Sequence, residues 1–395
     1  MSERDLNVAE DFIYLTSFLP SGWQAKAKEL GALRRCKKVP NAETLLRVLL
    51  IHLGEGLSFR ETSVIVRQGN LVDLSDVAIM DRLAMSGEWF RWMNTEMMKK
   101  WVGRQPETVF GSGWKVRLVD GTRIKEPGPT GSSWRIHYSI DLPSLRCDEL
   151  LVSPHHGEGE SLTRFTVNAG ELFVGDRAYG VRPGIFHVVR GGGDVLVRFA
   201  LSNLPLKTER GRPFHLLRRL RGLRGKEVGD WPVRVEGEGE QVAGRVCAIK
   251  KSRQATEKAR TEVIRRARKE GMKPKPETLE SAGYIFVFTT VERNTLGPAN
   301  VLEMYRGRWQ IELVFKRLKS ILGLGHLRKT DKQAALAWIH GKLFVAFLVE
   351  LLLRYAESFF PWGYPLCETE RTQPLFVAGR AIHPSPAAKH RSPDT

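Results

Sequence analysis

Tyr305, Arg308, Glu312 and Lys319 recur at spacings of three, four and seven residues within one helix-prone run, Met304 to Lys319. At about 100° per residue, they fall within roughly a 60° sector of a single helix. The spacing therefore predicts one continuous helix with a carboxylate, two cations and a phenol on one stripe. A carboxylate can hold a divalent metal, and cations and a phenol around it can bind phosphate.

Two aspartates upstream are candidates to join that carboxylate. The β-prone run Trp114 to Val119 leads into Asp120-Gly121, and Glu171 to Gly175 leads into Asp176. Each reads as a short strand followed by a turn residue, so both aspartates are expected at strand ends, facing a cleft. Alone, Asp120 reads as a turn residue, Asp176 as a partner of Arg177, and Glu312 as a surface carboxylate paired with Arg308. Together they give an all-oxygen site suited to Mg²⁺ or Mn²⁺. Two such ions can clamp the attacking and the leaving oxygen of a phosphodiester.

The pattern Y-x2-R-x3-E-x6-K at Tyr305, Arg308, Glu312 and Lys319 resembles the signature of DDE transposases of bacterial insertion sequences, in the insertion-sequence-four, Tn-five-like family. Val119-Asp120-Gly121-Thr122 is similar to that family's first-aspartate motif, and Val174-Gly175-Asp176-Arg177-Ala178-Tyr179 to its second. The likeness extends over residues 40 to 350. It implies an α/β fold: a ribonuclease-H-like catalytic core with a mixed sheet, interrupted by a β-rich basic insertion and preceded by an α-helical N-terminal domain. It also implies Asp120, Asp176 and Glu312 as catalytic and metal-binding residues with two ions per site. Arg308 and Lys319 would position phosphates, and Tyr305 would donate a hydrogen bond to one. Some relatives use an aromatic residue before the glutamate helix to stack on a flipped base during hairpin cleavage. Tyr284 occupies that place, and it reads equally as sheet packing.

The charge balance suits a polyanionic partner. Lys and Arg total 62 against 44 Asp and Glu in 395 residues, a formal charge of +18. Residues 206 to 275 hold 21 Lys and Arg and 9 Asp and Glu, so that segment alone carries +12. Arg218, Arg219, Arg221 and Arg224 form one cluster. Arg265, Arg266, Arg268 and Lys269 form another on an expected helix from Gln254 to Glu270. Beside a phosphodiester site such clusters favour phosphate contact over a merely solvated face.

The expected organisation is a helical DNA-binding domain at 1–105, a first catalytic segment at 106–205 and the basic insertion at 206–290. A second catalytic segment with the glutamate helix follows at 291–360, then a partly disordered tail at 361–395. Ser58-Phe59-Arg60-Glu61 is a capping box opening a helix to Arg67, and Ser75-Asp76 opens the next. That pair reads either as a groove-reading motif or as bundle packing, with Val77, Ile79, Met80 and Leu83 facing a core. A helix is expected from Ser161 to Val167, before the Asp176 strand.

Cys36, Cys147, Cys247 and Cys367 have no zinc or redox spacing and read as reduced thiols. His137, His155, His156 and His326 show no ligand spacing. The N-terminus shows no secretory signal, and the apolar run Phe344 to Leu353 reads as a core helix too short to span a bilayer. The expected setting is the bacterial cytoplasm and nucleoid. The expected partner is double-stranded DNA, both terminal inverted repeats and target, with no membrane and a homodimer forming on the DNA. The rival readings are a metal-dependent nuclease without strand joining and a non-catalytic DNA-binding relative.

Overall fold

The computed structural model describes residues 11–34, 38–102, 113–127, 133–154, 159–237, 239–325, 327 and 331–359. Cys36, Cys367, His155, His156, His326 and the tail from Pro361 lie outside them.

The N-terminal helices are α1 (Trp23–Glu29), α2 (Ala42–Glu55), α3 (Phe59–Gln68), α4 (Asp76–Met85) and α5 (Gly87–Val102). The starts follow side-chain chemistry. Ser58 and Glu61 make the reciprocal capping box of α3, and Ser75 accepts from the Ala78 N–H at the start of α4. Ile79 and Leu83 are buried as expected, whereas Val77 is exposed, because it lies on the opposite face of α4.

Among the described residues, nine strands form one sheet in the order β3-β2-β1-β4-β5-β9-β8-β7-β6. They are β1 (Lys115–Lys125), β2 (Ser133–Asp141), β3 (Arg146–Pro154), β4 (Glu171–Gly175), β5 (Asp194–Arg198), β6 (Leu206–Lys207), β7 (Val228–Gly237), β8 (Glu240–Lys250) and β9 (Tyr284–Thr289). β1, β4 and β5 run parallel, and the remaining pairs are antiparallel. Every residue of β4 is buried, as a central parallel strand covered on both faces requires. α6 (Arg182–Arg190) connects β4 to β5. Only a three-residue 3-10 turn, Leu162–Arg164, stands where a helix from Ser161 to Val167 is expected.

The basic segment adds β6, β7 and β8 together with α7 (Leu216–Arg221), α8 (Arg253–Lys269) and α9 (Pro276–Ser281). Its strands prolong the main sheet, since β8 pairs with β9 from Lys250–Tyr284 to Arg245–Thr289.

Alternate residues feed two cores. Val116, Leu118, Leu172 and Val174 face one, and Val119, Phe173, Val195 and Val197 face the other. α10 (Pro298–Gly307) and α11 (Trp309–Ser320) follow β9. Ile311, Phe315 and Leu318 of α11 enter the first core, so α11 lies on the face toward which Leu118 and its alternate neighbour Asp120 point. The single helix expected from Met304 to Lys319 is broken at Arg308. There Arg308 N–H bonds to Tyr305 O, and Ile311 N–H to Arg308 O, so the ladder tightens to three-residue steps beside Gly307.

α12 (Lys332–Phe359) packs against α5, α4 and α2. Asn94 donates to the His340 carbonyl and Lys342 to the Leu53 carbonyl. Trp338, Leu343, Phe344 and Phe347 are buried. α12 is long and apolar enough to cross a membrane by composition, but 61% of its most apolar window is inside the protein. α12 thus packs back onto the N-terminal helices, and α5 of that group rests on β3 of the sheet.

Arg117 sets the other end of β1. It is buried and bonded to Glu171 at 3.1 Å, to Ser139 at 3.1 Å and to Thr166 O at 2.6 Å, and it pairs with Asp148 at 2.9 Å. One guanidinium therefore fastens β1 to β2, β3 and β4 three residues before Asp120.

Candidate active site

Asp120 is not at a strand end. β1 runs on to Lys125, because β2 continues to pair with it from Asp120–Tyr138 to Lys125–Ser133. Its other neighbour does stop: the β1–β4 ladder ends at Val119–Gly175, and Asp176 is the next residue. The two aspartates consequently emerge in the same row, where β4 gives way to a loop. This is the carboxyl edge of a parallel pair, where open α/β sheets present their sites.

Each carboxylate is held locally. Asp120 Oδ1 accepts the Gly121 N–H at 2.7 Å, and Asp176 Oδ1 accepts the Ala178 N–H at 2.8 Å. Burial first, and then the negative charge of Asp176, pushes the Asp120 carboxyl up to about 7. The Gly121 N–H and Arg308 pull the other way.

The helix stripe closes over this pair. Arg308 Nη1 lies 3.4 Å from Asp120 Oδ2, and its Nη2 is paired with Glu312 Oε1. Tyr305 stacks beneath the Arg308 guanidinium, 6.0 Å from ring centroid to Cζ, and its hydroxyl is pushed up by burial. Asp176 and Arg198 also act on that hydroxyl. Lys319 is close enough to feel Asp120, while partial burial pulls its ammonium down. The structure thus brings Asp120, Asp176, Tyr305, Arg308, Glu312 and Lys319 into one cleft.

The donor set suits a hard cation. Asp120 and Asp176 are two carboxylates whose repulsion a divalent ion would relieve. Glu312, nearly half exposed, is turned onto Arg308, which stands between it and Asp120. Among the described residues, no three His, Cys, Asp or Glu side chains are gathered closely enough to hold an ion. The third carboxylate is thus partnered by a cation the protein itself supplies.

Four cations flank the cleft on the side of Asp176. Arg177 is pulled down by burial and then by Arg198, with Arg266 adding to the effect. Lys251 is pulled down to about 8 by burial and then by Arg198 and Arg177. Such mutual repulsion marks a place where an anion would be welcome. Arg266 is therefore near the site. Arg265 is exposed and bonded to Glu262 at 2.9 Å, and Arg268 is exposed. Tyr284 is only 8% exposed and belongs to the second core. Its side chain is buried in that core, and stacking on a base would require it to leave.

Sequence reading missed Arg198, Lys251 and Glu160 as neighbours of this site, and took Tyr179 only as part of the second-aspartate motif. Arg198 and Lys251 end β5 and follow β8, positions that become adjacent only through β9. Glu160 stands in an irregular stretch with no periodicity. The signal for it is Gly121, where an added Cβ would come within 2.7 Å of Glu160 Oε1.

Residues 152–348 match the protein-family model described as Transposase DDE domain. That span includes Asp176 and Glu312 and begins after Asp120. The putative transposase InsL for insertion sequence element IS186A, from Escherichia coli strain K12, is 32% identical over 348 residues, covering 87% of this chain and 93% of the relative. The transposase for insertion sequence element IS421 of Escherichia coli is 32% identical over 349 residues, with the same shares covered.

The chain belongs to the DDE transposases of bacterial insertion sequences.

Within this family member, the cleft at the end of β4 is where an acidic pair and a basic helix face converge. A DDE transposase domain generally implies divalent metal, and the oxygen donors here are of the type such ions take.

Proposed function

We propose that the chain cuts the ends of an insertion sequence and joins them to target DNA by phosphodiester hydrolysis and transesterification. The observation that carries this reading is the convergence of Asp120 and Asp176 with the Arg308–Glu312 pair in one cleft.

Asp120, Asp176 and Glu312 would hold two divalent ions, Mg²⁺ or Mn²⁺. Bound there, the ions would supply the positive charge that activates the attacking oxygen and stabilises the leaving 3′-oxygen. The protein's own groups would do the rest. Asp120 must be ionised to serve, and an approaching cation lowers its proton affinity. Arg308 offers a planar fork to a phosphate once it leaves Glu312, and Lys319 adds a point charge. Tyr305 can donate its hydroxyl to a phosphate oxygen. Arg177, Arg198, Lys251 and Arg266 would hold the DNA backbone beside the cleft.

The test uses a labelled duplex carrying the element's end, with Mg²⁺ or Mn²⁺ and a target DNA. Asp120→Ala, Asp176→Ala and Glu312→Ala are each expected to abolish nicking while the duplex is still bound. A variant that keeps a tenth of wild-type cleavage would remove its residue from the site. Cleavage with no joined product would favour the nuclease, and binding with no cleavage the non-catalytic relative.

A further inference from the structure

A second layer of polar groups stands behind the aspartate pair. Glu160 lies against Gly121 on the face opposite Asp120, where an added Cβ would meet its carboxylate at 2.7 Å. One of its oxygens is 3.4 Å from Arg135 Nη1, and the pair is largely enclosed. Tyr179 packs flat across Gly175, where an added Cβ would meet Tyr179 Cβ at 2.8 Å. The ring is completely buried, and its hydroxyl has no hydrogen-bond partner among the described residues. The charges that act on that hydroxyl are Asp120, Glu160, Asp176 and Arg135.

A buried phenol without a partner is rare, because the O–H gives up water and gains nothing in return. Here burial acts on it first, and the negative charges of Asp120, Glu160 and Asp176 reach it through the sheet. Asp120 and Asp176 repel one another, and a divalent cation is the ligand that would relieve that repulsion. We propose that Glu160 and Tyr179 are positioning residues for divalent-cation binding at Asp120 and Asp176. Glu160 adds a third negative charge from the rear of the sheet. Tyr179 donates a hydrogen bond into the carboxylate group when the cation is bound. Second-layer partners of this kind typically change metal affinity by about 10- to 100-fold when removed. The inference rests on the cation-binding reading of the site given above.

The experiment is Mn²⁺ binding to the full-length, DNA-free protein, read from the electron paramagnetic resonance signal of free Mn²⁺ and paired with thermal unfolding. Asp120→Asn reports on the primary site. Glu160→Gln, which keeps the shape and removes the charge, is expected to weaken Mn²⁺ binding about tenfold. Tyr179→Phe is expected to weaken it several-fold while the metal-free melting temperature stays level or rises, since an unsatisfied hydroxyl has been removed. If Asp120→Asn weakens binding while Glu160→Gln and Tyr179→Phe stay within twofold of the parent, the second layer is overturned and the primary site stands. The second layer is likewise overturned if the two variants only lower the melting temperature. If Asp120→Asn also leaves binding unchanged, both the second layer and the cation-binding reading fall.

Discussion

Arg308 and Asp120, 188 residues apart in the chain, meet in a 3.4 Å ion pair across the cleft between α11 and β1. The same guanidinium also holds Glu312. Arg308 stands at the break between α10 and α11, so its fork is set by a tightened turn rather than by a regular helical position. In this state it neutralises two of the acids proposed to hold metal. Arriving ions and phosphate would compete for all three groups at once.

That competition gives the first prediction. Arg308→Ala should free Glu312 and Asp120 and so leave Mn²⁺ affinity of the DNA-free protein equal to or tighter than the parent's. It should also weaken binding of element-end DNA and slow cleavage by about 100-fold, as removing a bidentate phosphate clamp does. Arg308→Lys should recover little of the rate, because an ammonium cannot reproduce the fork. Titration of Mn²⁺ alongside single-turnover cleavage checks both. Looser Mn²⁺ binding in Arg308→Ala would mean the guanidinium organises the carboxylates instead of competing with ions.

The second prediction concerns pH. The Asp120 carboxyl titrates near 7 in the folded protein, because it is buried beside Asp176, against about 3.9 in an unfolded chain. Between those values the folded state holds a proton that the unfolded state has released. The stability tied to this group is complete below about pH 4 and is lost as pH rises through 7. Asparagine mimics the protonated acid and cannot ionise. Asp120→Asn should therefore be stabilising in metal-free buffer at pH 8, by at most about 4 kcal/mol, and nearly neutral at pH 4. Urea unfolding with a chelator at several pH values measures this. A stability difference that does not vary with pH would place the titrating group elsewhere.

The site was more legible in the sequence than the fold around it, for physical reasons. The stripe from Tyr305 to Lys319 depends on helical periodicity alone, and a one-residue break at Arg308 does not scatter it. Asp176 was legible because β4 is short, fully apolar after its first residue and ends at a turn residue. The length of β1 was not, since residues Asp120 to Lys125 are held by β2, whose pairing is a long-range fact. Capping chemistry marked the starts of α3 and α4 correctly. It could not reveal that Val77 points outward, or that α12 would return to pack on α5. Glu160 carries no local pattern toward the site, and Tyr179 only its place in the second-aspartate motif; their packing appears only once Gly121 and Gly175 bring the backbone close.

The third prediction separates the arginines of α8. Arg265 is tied to Glu262, whereas the charge of Arg266 reaches Arg177 at the cleft. Each duplex phosphate that the protein ceases to neutralise reduces the slope of log affinity against log salt by about 0.9. Arg266→Ala should lower the slope by about that amount, and Arg265→Ala by much less. Fluorescence anisotropy of a labelled element end across a salt series gives both slopes. Equal slopes for parent and Arg266→Ala would make this end of α8 a bystander.

The last prediction concerns assembly. Cutting and joining both ends of an element requires two active sites in one complex, and the proposed function therefore needs a pairing surface. Most apolar residues of α12 that could have served are already used: Trp338, Leu343, Phe344 and Phe347 are buried within the subunit, and Leu336 is half-buried. Among the described residues Val349, Leu353 and Tyr355, further along, are exposed, but three side chains fall far short of the roughly 800 Å² per partner that a stable interface buries. Pairing should then depend on DNA, whose phosphates can bridge the basic surfaces of two subunits that would otherwise repel at a formal charge of +18 each. Light scattering should find a monomer for the free protein. With duplex element ends, divalent metal and moderate salt, it should find a complex of two chains and two ends. A complex that stays at one chain per end while cleavage proceeds would refute the paired-end arrangement.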